Sequence, residues 1–445
     1  RWTCEFMLIF FLKFLFSELN NRSTTSDPRL AFPKDPKTKD TSQTFGHQSN
    51  ALQILYGTDL SDKTAIVTGA NSGIGDEIRH KTKRNRFSLQ TGFEIARSLA
   101  KHGCQVILAC RNATKGEAAC AKIIKEHVRE EKRKRVRLLF VLFSENAKVS
   151  CRQLDLCSLR NVKQFAEQYR QESLPLHYLI LNAGILNSDF RLTEDGFEEM
   201  FQVNYLAQAY LTFRLILPMT STKTNRPPRI IQLVVNHIVR VKKTEIFFHF
   251  ISSSFKLCRP AGISTSQGIL FDRLSPRSPK DFDNLIAYGQ SKLCLIMFVS
   301  ELRRNHPCKV LFNRFHLLIF LFHFISNLFV ACHPGNAIYS NLTRNSYLYQ
   351  ALVLLARPFS KSMVKSKQPT DFIRIFVSMI SEQAAATPIY CTIMQSVLRE
   401  QTIYYNNCFE GSPSSFVYNQ KLTEDLWIQT QKMIESAFKK QPLIA

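Results

Sequence analysis

The chain has 445 residues, of which 45% are apolar and 21% charged, which is ordinary for a globular protein with one large core. Its net charge of +24 would favour nucleic acid or an anionic membrane, but no zinc-finger spacing, RNA-binding aromatic motif or basic zipper accompanies the charge. We therefore predict no nucleic-acid partner. The twelve cysteines form no CxxC pair, which predicts reduced core thiols in a cytoplasmic protein and no metal site.

Two apolar stretches raise the question of a membrane. Phe6–Phe16 is shorter than the roughly 20 residues that a spanning helix needs. Phe315–Cys332 is about long enough, but it carries His316, His323 and Asn327 and continues directly into a His-Pro-Gly motif. We predict a protein without a membrane anchor and keep anchoring through 315–332 as the minor alternative.

In chain order, hydrophobic patterns predict strands and helices that alternate. The helix predicted over 197–218 should stop at Pro218, because proline lacks the backbone N–H that helical hydrogen bonding needs. Such alternation indicates βαβ units, so the predicted fold is α/β, a Rossmann-like doubly wound parallel sheet with helices on both faces. The predicted elements are strand 63–69, helix 92–103, strand 104–111, helix 161–172, strand 176–184 and helix 197–218.

Segments of a different composition interrupt this pattern. They hold 18 of the 35 phenylalanines but only one alanine and one glycine, and their flanks join smoothly when they are removed. We favour translated noncoding sequence as their origin; family-specific loops are the alternative. The segments are about 1–19, 76–92, 132–147, 232–250, 314–330 and 364–381.

The motif TGANSGIG directly follows the first predicted strand. Its glycines permit a tight turn in which backbone N–H groups and a helix N-terminus approach a pyrophosphate. Segment 76–92 separates this turn from its helix, so Gly75 or Gly92 could serve as the third glycine, and we expect weaker cofactor binding than without the segment. The predicted cofactor contacts in this turn are Gly69, Ser72, Gly73, Ile74 and Gly75.

Polar residues also follow the next strands. Arg111 ends the second strand, where a guanidinium matches a 2′-phosphate, so it favours NADP(H) over NAD(H); a surface arginine is the alternative. Asp155 is placed to contact the adenine, and Asn182, Ala183 and Gly184 end a later strand. Because ligands bind at the carboxyl ends of parallel strands, these residues should face one crevice.

The motif AYGQSKLC contains Tyr288 and Lys292, which one helical turn places on the same face. A nearby ammonium favours the phenolate and lowers a tyrosine pKa from about 10, so Tyr288 can exchange a proton with a substrate oxygen. Ser253, between two other serines, ends a predicted strand and could hold that oxygen. Asn204 could complete a proton relay or be a helix-surface amide.

The order of these motifs resembles the short-chain dehydrogenase/reductase family, from Tyr56 to Phe438. The resemblance implies Tyr288 as catalytic acid/base, Lys292 as its tuner, Ser253 as the substrate-oxygen holder and Asn204 as the relay. It also implies an NADP-dependent oxidoreductase that interconverts an alcohol and a carbonyl on a steroid- or retinoid-like molecule. Its further implied cofactor contacts are Tyr288, Lys292, Pro334 and Gly335.

Residues 20–32 resemble the end of a WW domain, a module that binds Pro-rich peptides. We therefore predict an N-terminal segment over 1–50 and a dehydrogenase domain over 51–440 that the segments above interrupt. Pro-rich peptides are expected as partners only where an intact WW domain exists. A signalling or scaffold protein with little turnover is the alternative function.

Overall fold

The structure is a computed structural model. The ranges that it describes all lie within one compact unit, Phe45–Ala445. The WW-like stretch 20–32 and the segments 1–19 and 364–381 fall outside them. The described residues are 45–46, 49–71, 91–137, 148–185, 187, 189–221, 229–233, 269–305, 329–333, 383–399 and 402–439.

Eight strands form a single sheet in the order β3-β2-β1-β4-β5-β6-β7-β8. All neighbouring pairs are parallel except β7 and β8. The order reverses between β1 and β4, and ligands of such sheets bind in the crevice at that switch point. The strands are β1 Thr64–Thr68, β2 Gln105–Cys110, β3 Val149–Gln153, β4 Tyr178–Leu181, β5 Arg229–Leu233, β6 Phe329–His333, β7 Tyr404–Asn406 and β8 Phe409–Glu410.

Helices connect the strands, as βαβ units require. Residues 383–393 are helical as well, and short 3₁₀ turns occur at Phe271–Arg273, Pro279–Asp281 and Ser415–Tyr418. The helices are α1 Ala51–Leu55, α2 Thr91–Lys101, α3 Ala113–Arg137, α4 Leu159–Gln171, α5 Glu199–Phe201, a π-helical turn Gln202–Leu206, α6 Ala207–Ser221, α7 Asn284–Asn305, α8 Ser396–Arg399 and α9 Gln420–Lys439.

Two hydrophobic clusters cover the two faces of the sheet. Strand β1 contributes to both, because Ile66 belongs to one cluster while Ala65 and Val67 belong to the other. The first cluster includes side chains of α4, α6, α7 and α9, and the second includes α2 and residues 383–393. This burial on both faces confirms the predicted α/β class.

The helix expected over 197–218 differs from the prediction in two ways. It contains the π-helical turn, and it ends at Ser221 rather than at Pro218. Pro218 lies in the last turn of the helix, where losing one hydrogen bond of the ladder does not end it, and the backbone stays helical for three more residues. Hydrophobic spacing does not register a π-helical turn, since one extra residue still leaves both halves amphipathic.

Regular elements extend into the edges of four of the compositionally distinct segments. Helix α2 includes Thr91 and Gly92, and α3 continues to Arg137. Strand β5 includes Gln232 and Leu233, and β6 begins at Phe329. These edges are set by hydrogen-bonded pairing, such as Gln232 with Ala331, which composition does not reveal.

The nine cysteines in the described part of the chain form no disulfide bond. Within that part, no helix is long and apolar enough to cross a membrane. No cluster of three or more His, Cys, Asp or Glu side chains that could hold a metal occurs among the described residues. Of the apolar stretch 315–332, only the last four residues are described, and they belong to β6.

Candidate active site

The turn after β1 begins with Gly69, whose φ of +68° lies in the left-handed region that favours glycine. A Cβ on Gly69 would also lie 3.0 Å from the Cα of Ala183, so the turn can approach the loop after β4 only with glycine here. Thr68 joins the same two loops, since its Oγ1 accepts from the backbone N–H groups of Asn182 and Ala183, both at 3.0 Å. Thr68 was not among the predicted site residues.

Gly92 makes the next close approach, in the first turn of α2. A Cβ on Gly92 would lie 2.3 Å from Nδ2 of Asn182 and 3.1 Å from the Cα of Ala70. That Nδ2 donates to the carbonyl of Thr68 at 2.8 Å. Gly92 therefore occupies a place where helix and strand pack closely, as the third glycine of the motif is expected to do. Gly75, the other glycine considered for that position, lies outside the described residues.

Arg111 and Asp155 lie at the outer rim of the same sheet edge. Arg111 is exposed, and its positive charge opposes the rise in the pKa of the nearby Cys157 thiol. Asp155 Oδ1 accepts from the backbone N–H of Cys157 at 2.9 Å. Burial, reinforced by the charges of Asp155 and Glu199, raises the pKa of Cys157 to about 12. A cavity of about 260 Å³ opens here, lined by Asp155, Cys157, Ser158, Arg191, Leu192, Thr193, Glu194 and Glu199.

Tyr288 and Lys292 lie one turn apart on α7 and are both buried. The Nζ of Lys292 lies 5.6 Å from the centre of the Tyr288 ring. Burial removes water from the ammonium and lowers the pKa of Lys292 to about 8. A Cβ on Gly184 would lie 3.1 Å from this Nζ, so the loop after β4 passes directly beside Lys292.

Asn204 is fully buried in the π-helical turn, which corrects the alternative of a helix-surface amide. Its Oδ1 accepts from the N–H of Ile185 at 2.8 Å, and its Nδ2 donates to the Ile185 carbonyl at 3.0 Å and to Ser291 Oγ at 3.1 Å. Ser291 in turn donates to the Tyr288 carbonyl at 2.7 Å. Helical π-turns occur frequently at functional sites, and this one connects α7 to the loop after β4.

Ser291 was not predicted either, although a small polar residue directly before Lys292 is a visible signal. The apolar wall beside Tyr288 was also missed: Tyr288 clusters with Met200 and Ala287, and Ile185 and Phe282 pack against the cluster. The members of this wall come from three separate parts of the chain, so no local sequence pattern predicts it.

The structure thus brings together seven of the predicted residues: Gly69, Asn182, Ala183, Gly184, Asn204, Tyr288 and Lys292. Arg111 and Asp155 lie together at the rim. The remaining predictions lie outside the described residues: Ser72, Gly73, Ile74, Gly75, Ser253, Pro334 and Gly335.

Comparisons with known proteins point in the same direction. A family model described as short chain dehydrogenase matches residues 91–236. WW domain-containing oxidoreductase of Gallus gallus is 36% identical over 92% of this chain and 77% of its own length, and that of Homo sapiens is 33% identical with the same coverage. Retinol dehydrogenase 12 of Mus musculus is 27% identical over 83% of this chain and 85% of its own length.

The chain belongs to the short-chain dehydrogenase/reductase family, as the order of its motifs predicted. It is an oxidoreductase of the NAD(P)-dependent dehydrogenase/reductase class. Within the family it is similar to the proteins named WW domain-containing oxidoreductase from several animals.

Proposed function

We propose that this chain interconverts an alcohol and a carbonyl with NADP(H), and that Tyr288 moves the proton at the substrate oxygen. The observation that carries the proposal is the buried pair of Tyr288 and Lys292 on one face of α7. Ser291 joins this pair to Asn204, and Gly184 joins it to the loop after β4. When bound, the nicotinamide supplies or accepts the hydride.

The residues around the end of β1 fit a dinucleotide cofactor. Gly69 and Gly92 leave the backbone without side chains at two close approaches, and the N-terminus of α2 lies beside Ala70. A helix N-terminus favours the negative charge of a pyrophosphate. Arg111 is exposed at the end of β2, where its guanidinium would pair with a 2′-phosphate, and this supports NADP(H) over NAD(H).

Proton movement at the substrate oxygen follows from the surroundings of Tyr288. We assign Tyr288 as the group that releases its proton to a carbonyl oxygen that becomes an alcohol, with the Lys292 ammonium as its neighbouring charge. Asn204 Oδ1 and Lys292 Nζ both lie within 3.4 Å of the position that a Cβ on Gly184 would take. We assign Asn204 to the proton relay that resupplies this pair, and Ser253 to holding the substrate oxygen.

A bulky apolar substrate fits the wall beside Tyr288. Ile185 and Phe282 are half-buried against the Tyr288 cluster, and Phe190 meets Phe282 edge to face at 5.6 Å between ring centres. Aromatic and aliphatic side chains at this position favour contact with hydrocarbon surface. Together with the relative named Retinol dehydrogenase 12, the wall supports retinoid-like or steroid-like molecules as the substrate class.

The test is turnover by the purified full chain with NADPH and a panel of retinal, steroid ketones and small polar ketones. Tyr288→Phe is expected to lower kcat by at least about 100-fold, because it removes the acid/base while keeping the ring. Tyr418→Phe is the matched control, since Tyr418 is 65% exposed whereas Tyr288 is buried. Equal turnover by Tyr288→Phe and the wild type would contradict the proposed role.

The same experiment separates the enzyme from a signalling or scaffold protein. NADPH binding without turnover of any compound in the panel would favour the scaffold. We further propose a cytoplasmic location, and Pro-rich peptide partners only for a protein with an intact WW domain. Binding of a PPxY peptide by a longer chain, and its absence for this one, would test the second proposal.

A further inference from the structure

Gln208 is the second residue of α6, four residues after Asn204, and it is fully buried. Its Nε2 lies within hydrogen-bond distance of three backbone carbonyls, those of Ala183 at 2.8 Å, Asn204 at 3.0 Å and Val203 at 3.1 Å. Because the amide has two hydrogens, one of them is shared between two of these carbonyls. Ala183 belongs to the loop after β4 that passes the predicted cofactor site, and Asn204 is the predicted relay residue. One side-chain amide therefore bonds both the loop after β4 and the helical turn that contains Asn204.

The π-helical turn explains why this donor is needed. The N–H of Ala207 bonds the carbonyl of Gln202, five residues back, instead of the carbonyl four residues back. Carbonyls beside such a change of register lose their regular backbone partners, and a buried carbonyl without a donor costs free energy. Gln208 Nε2 supplies a donor to Val203 and Asn204 at that place.

A second amide orients the first. Gln232 on β5 donates through Nε2 to Oε1 of Gln208 at 3.3 Å and to the carbonyl of Leu181 on β4 at 3.2 Å. Gln232 is also buried. With its oxygen committed to Gln232, the Gln208 amide has only one orientation, in which its NH₂ group faces the three carbonyls.

We propose that Gln208 is a positioning residue of the oxidoreductase site: it holds the loop after β4 and the turn of Asn204 at a fixed separation. The separation matters because Lys292 Nζ and Asn204 Oδ1 both lie beside Gly184 of this loop, at 3.1 and 3.4 Å from the position that a Cβ on Gly184 would take. Asn204 also bonds Ser291, the residue directly before Lys292. This inference rests on the proposed function, because the groups that Gln208 would position are the Asn204 of the proposed proton relay and the loop after β4 beside the proposed cofactor site.

The test compares Gln208→Met with Gln202→Met in the full chain. Methionine keeps the length and volume of glutamine but removes the N–H donors. Gln202 is the matched control, because it is equally buried in the same helical segment but donates away from the site, to Asp195 at 2.6 Å and to the Leu156 carbonyl at 3.3 Å. The readouts are kcat and KM, the pH profile of kcat, NADPH affinity and the unfolding midpoint.

Gln208→Met is expected to lower kcat at least tenfold, to weaken NADPH binding and to move the pH profile of kcat, because a small misplacement of reacting groups has large kinetic effects. Gln202→Met is expected to lower the unfolding midpoint and leave the pH profile unchanged. Gln208→Glu should show intermediate kcat, because the surrounding carbonyls favour the neutral acid, which keeps one donor.

The inference is overturned if Gln208→Met and Gln202→Met differ from the wild type only in stability. If the wild-type chain binds NADPH but turns over no substrate, the proposed function is contradicted. In that case the NADPH affinities of the two variants still test the role of Gln208. Loss of NADPH affinity in Gln208→Met but not in Gln202→Met supports the positioning role in that case, and equal affinity overturns it.

Discussion

The proton half and the phosphate half of the site are built differently. In the proton half, buried side chains of the π-helical turn and α7 bond one another and the loop after β4. In the phosphate half, backbone approaches at Gly69 and Gly92 shape the surface, and most of segment 76–92 comes between the turn and α2 in the sequence. The geometry of the proton half therefore depends on the identity of its side chains. The geometry of the phosphate half depends on an uninterrupted backbone and on glycines that carry no side chain.

The largest effect is expected in the proton half, from Lys292→Met. Removing the ammonium leaves Tyr288 without its charge partner, so kcat should fall by about 100-fold or more. Lys280→Met is the control, because Lys280 is exposed and lies shortly before the same helix. An unchanged kcat in Lys292→Met would mean that the proton chemistry takes place elsewhere, and the description of this region as the proton half would be wrong.

The same lysine predicts a pH dependence. With its pKa lowered to about 8, Lys292 is charged below that pH and becomes neutral as the pH rises through it. The kcat of carbonyl reduction by the wild type should therefore decline above about pH 8. A profile that stays flat to pH 10 would contradict the assignment of this lysine.

In the phosphate half, Arg111→Ala should weaken NADPH binding by about 10- to 100-fold, the range for loss of a hydrogen bond between charged groups. NADH binding should change little, because NADH has no 2′-phosphate. Arg170→Ala removes an equally exposed arginine from α4 and serves as the control. Equal losses for NADPH and NADH, measured by fluorescence titration, would rule out 2′-phosphate recognition by Arg111.

Gly92→Ala should have the next largest effect. The added Cβ would meet Asn182 at 2.3 Å, so that side chain must shift and lose its bond to the Thr68 carbonyl. Overpacking of this kind costs about 1–3 kcal/mol, and we expect NADPH affinity to fall about tenfold. Thr91→Ala, in the same helical turn, should leave affinity unchanged. If both variants bind NADPH like the wild type, Gly92 is not the third glycine of the motif.

Removing segment 76–92 should have the smallest effect and should strengthen binding. The deletion places Gly75 directly before Phe93, so one glycine replaces Gly92 in the same position. NADPH affinity is then expected to rise several-fold, because the turn and α2 become continuous. Equal NADPH affinity with and without the segment would show that the phosphate half binds its cofactor despite the inserted residues.

Much of this architecture was predictable because its signals are local. The alternation of strands and helices, the glycine after β1 and the spacing of Tyr288 and Lys292 are each written within a few consecutive residues. The π-helical turn was not predictable, because it shifts the register by one residue without changing the hydrophobic pattern. Asn204 was named as a candidate, yet its hydrogen-bond partner Ser291 lies 87 residues away in the sequence.

The sequence by itself determined the family, the α/β class and the order of the chemical groups along the chain, because these follow from periodicity and motif spacing. Only the tertiary structure decided that Gly92 approaches Asn182 and that Gln208 serves the loop after β4 and the turn of Asn204 together. The physical reason is that buried donors and close approaches are satisfied by whichever groups folding brings within about 3 Å, and these groups come from separate elements.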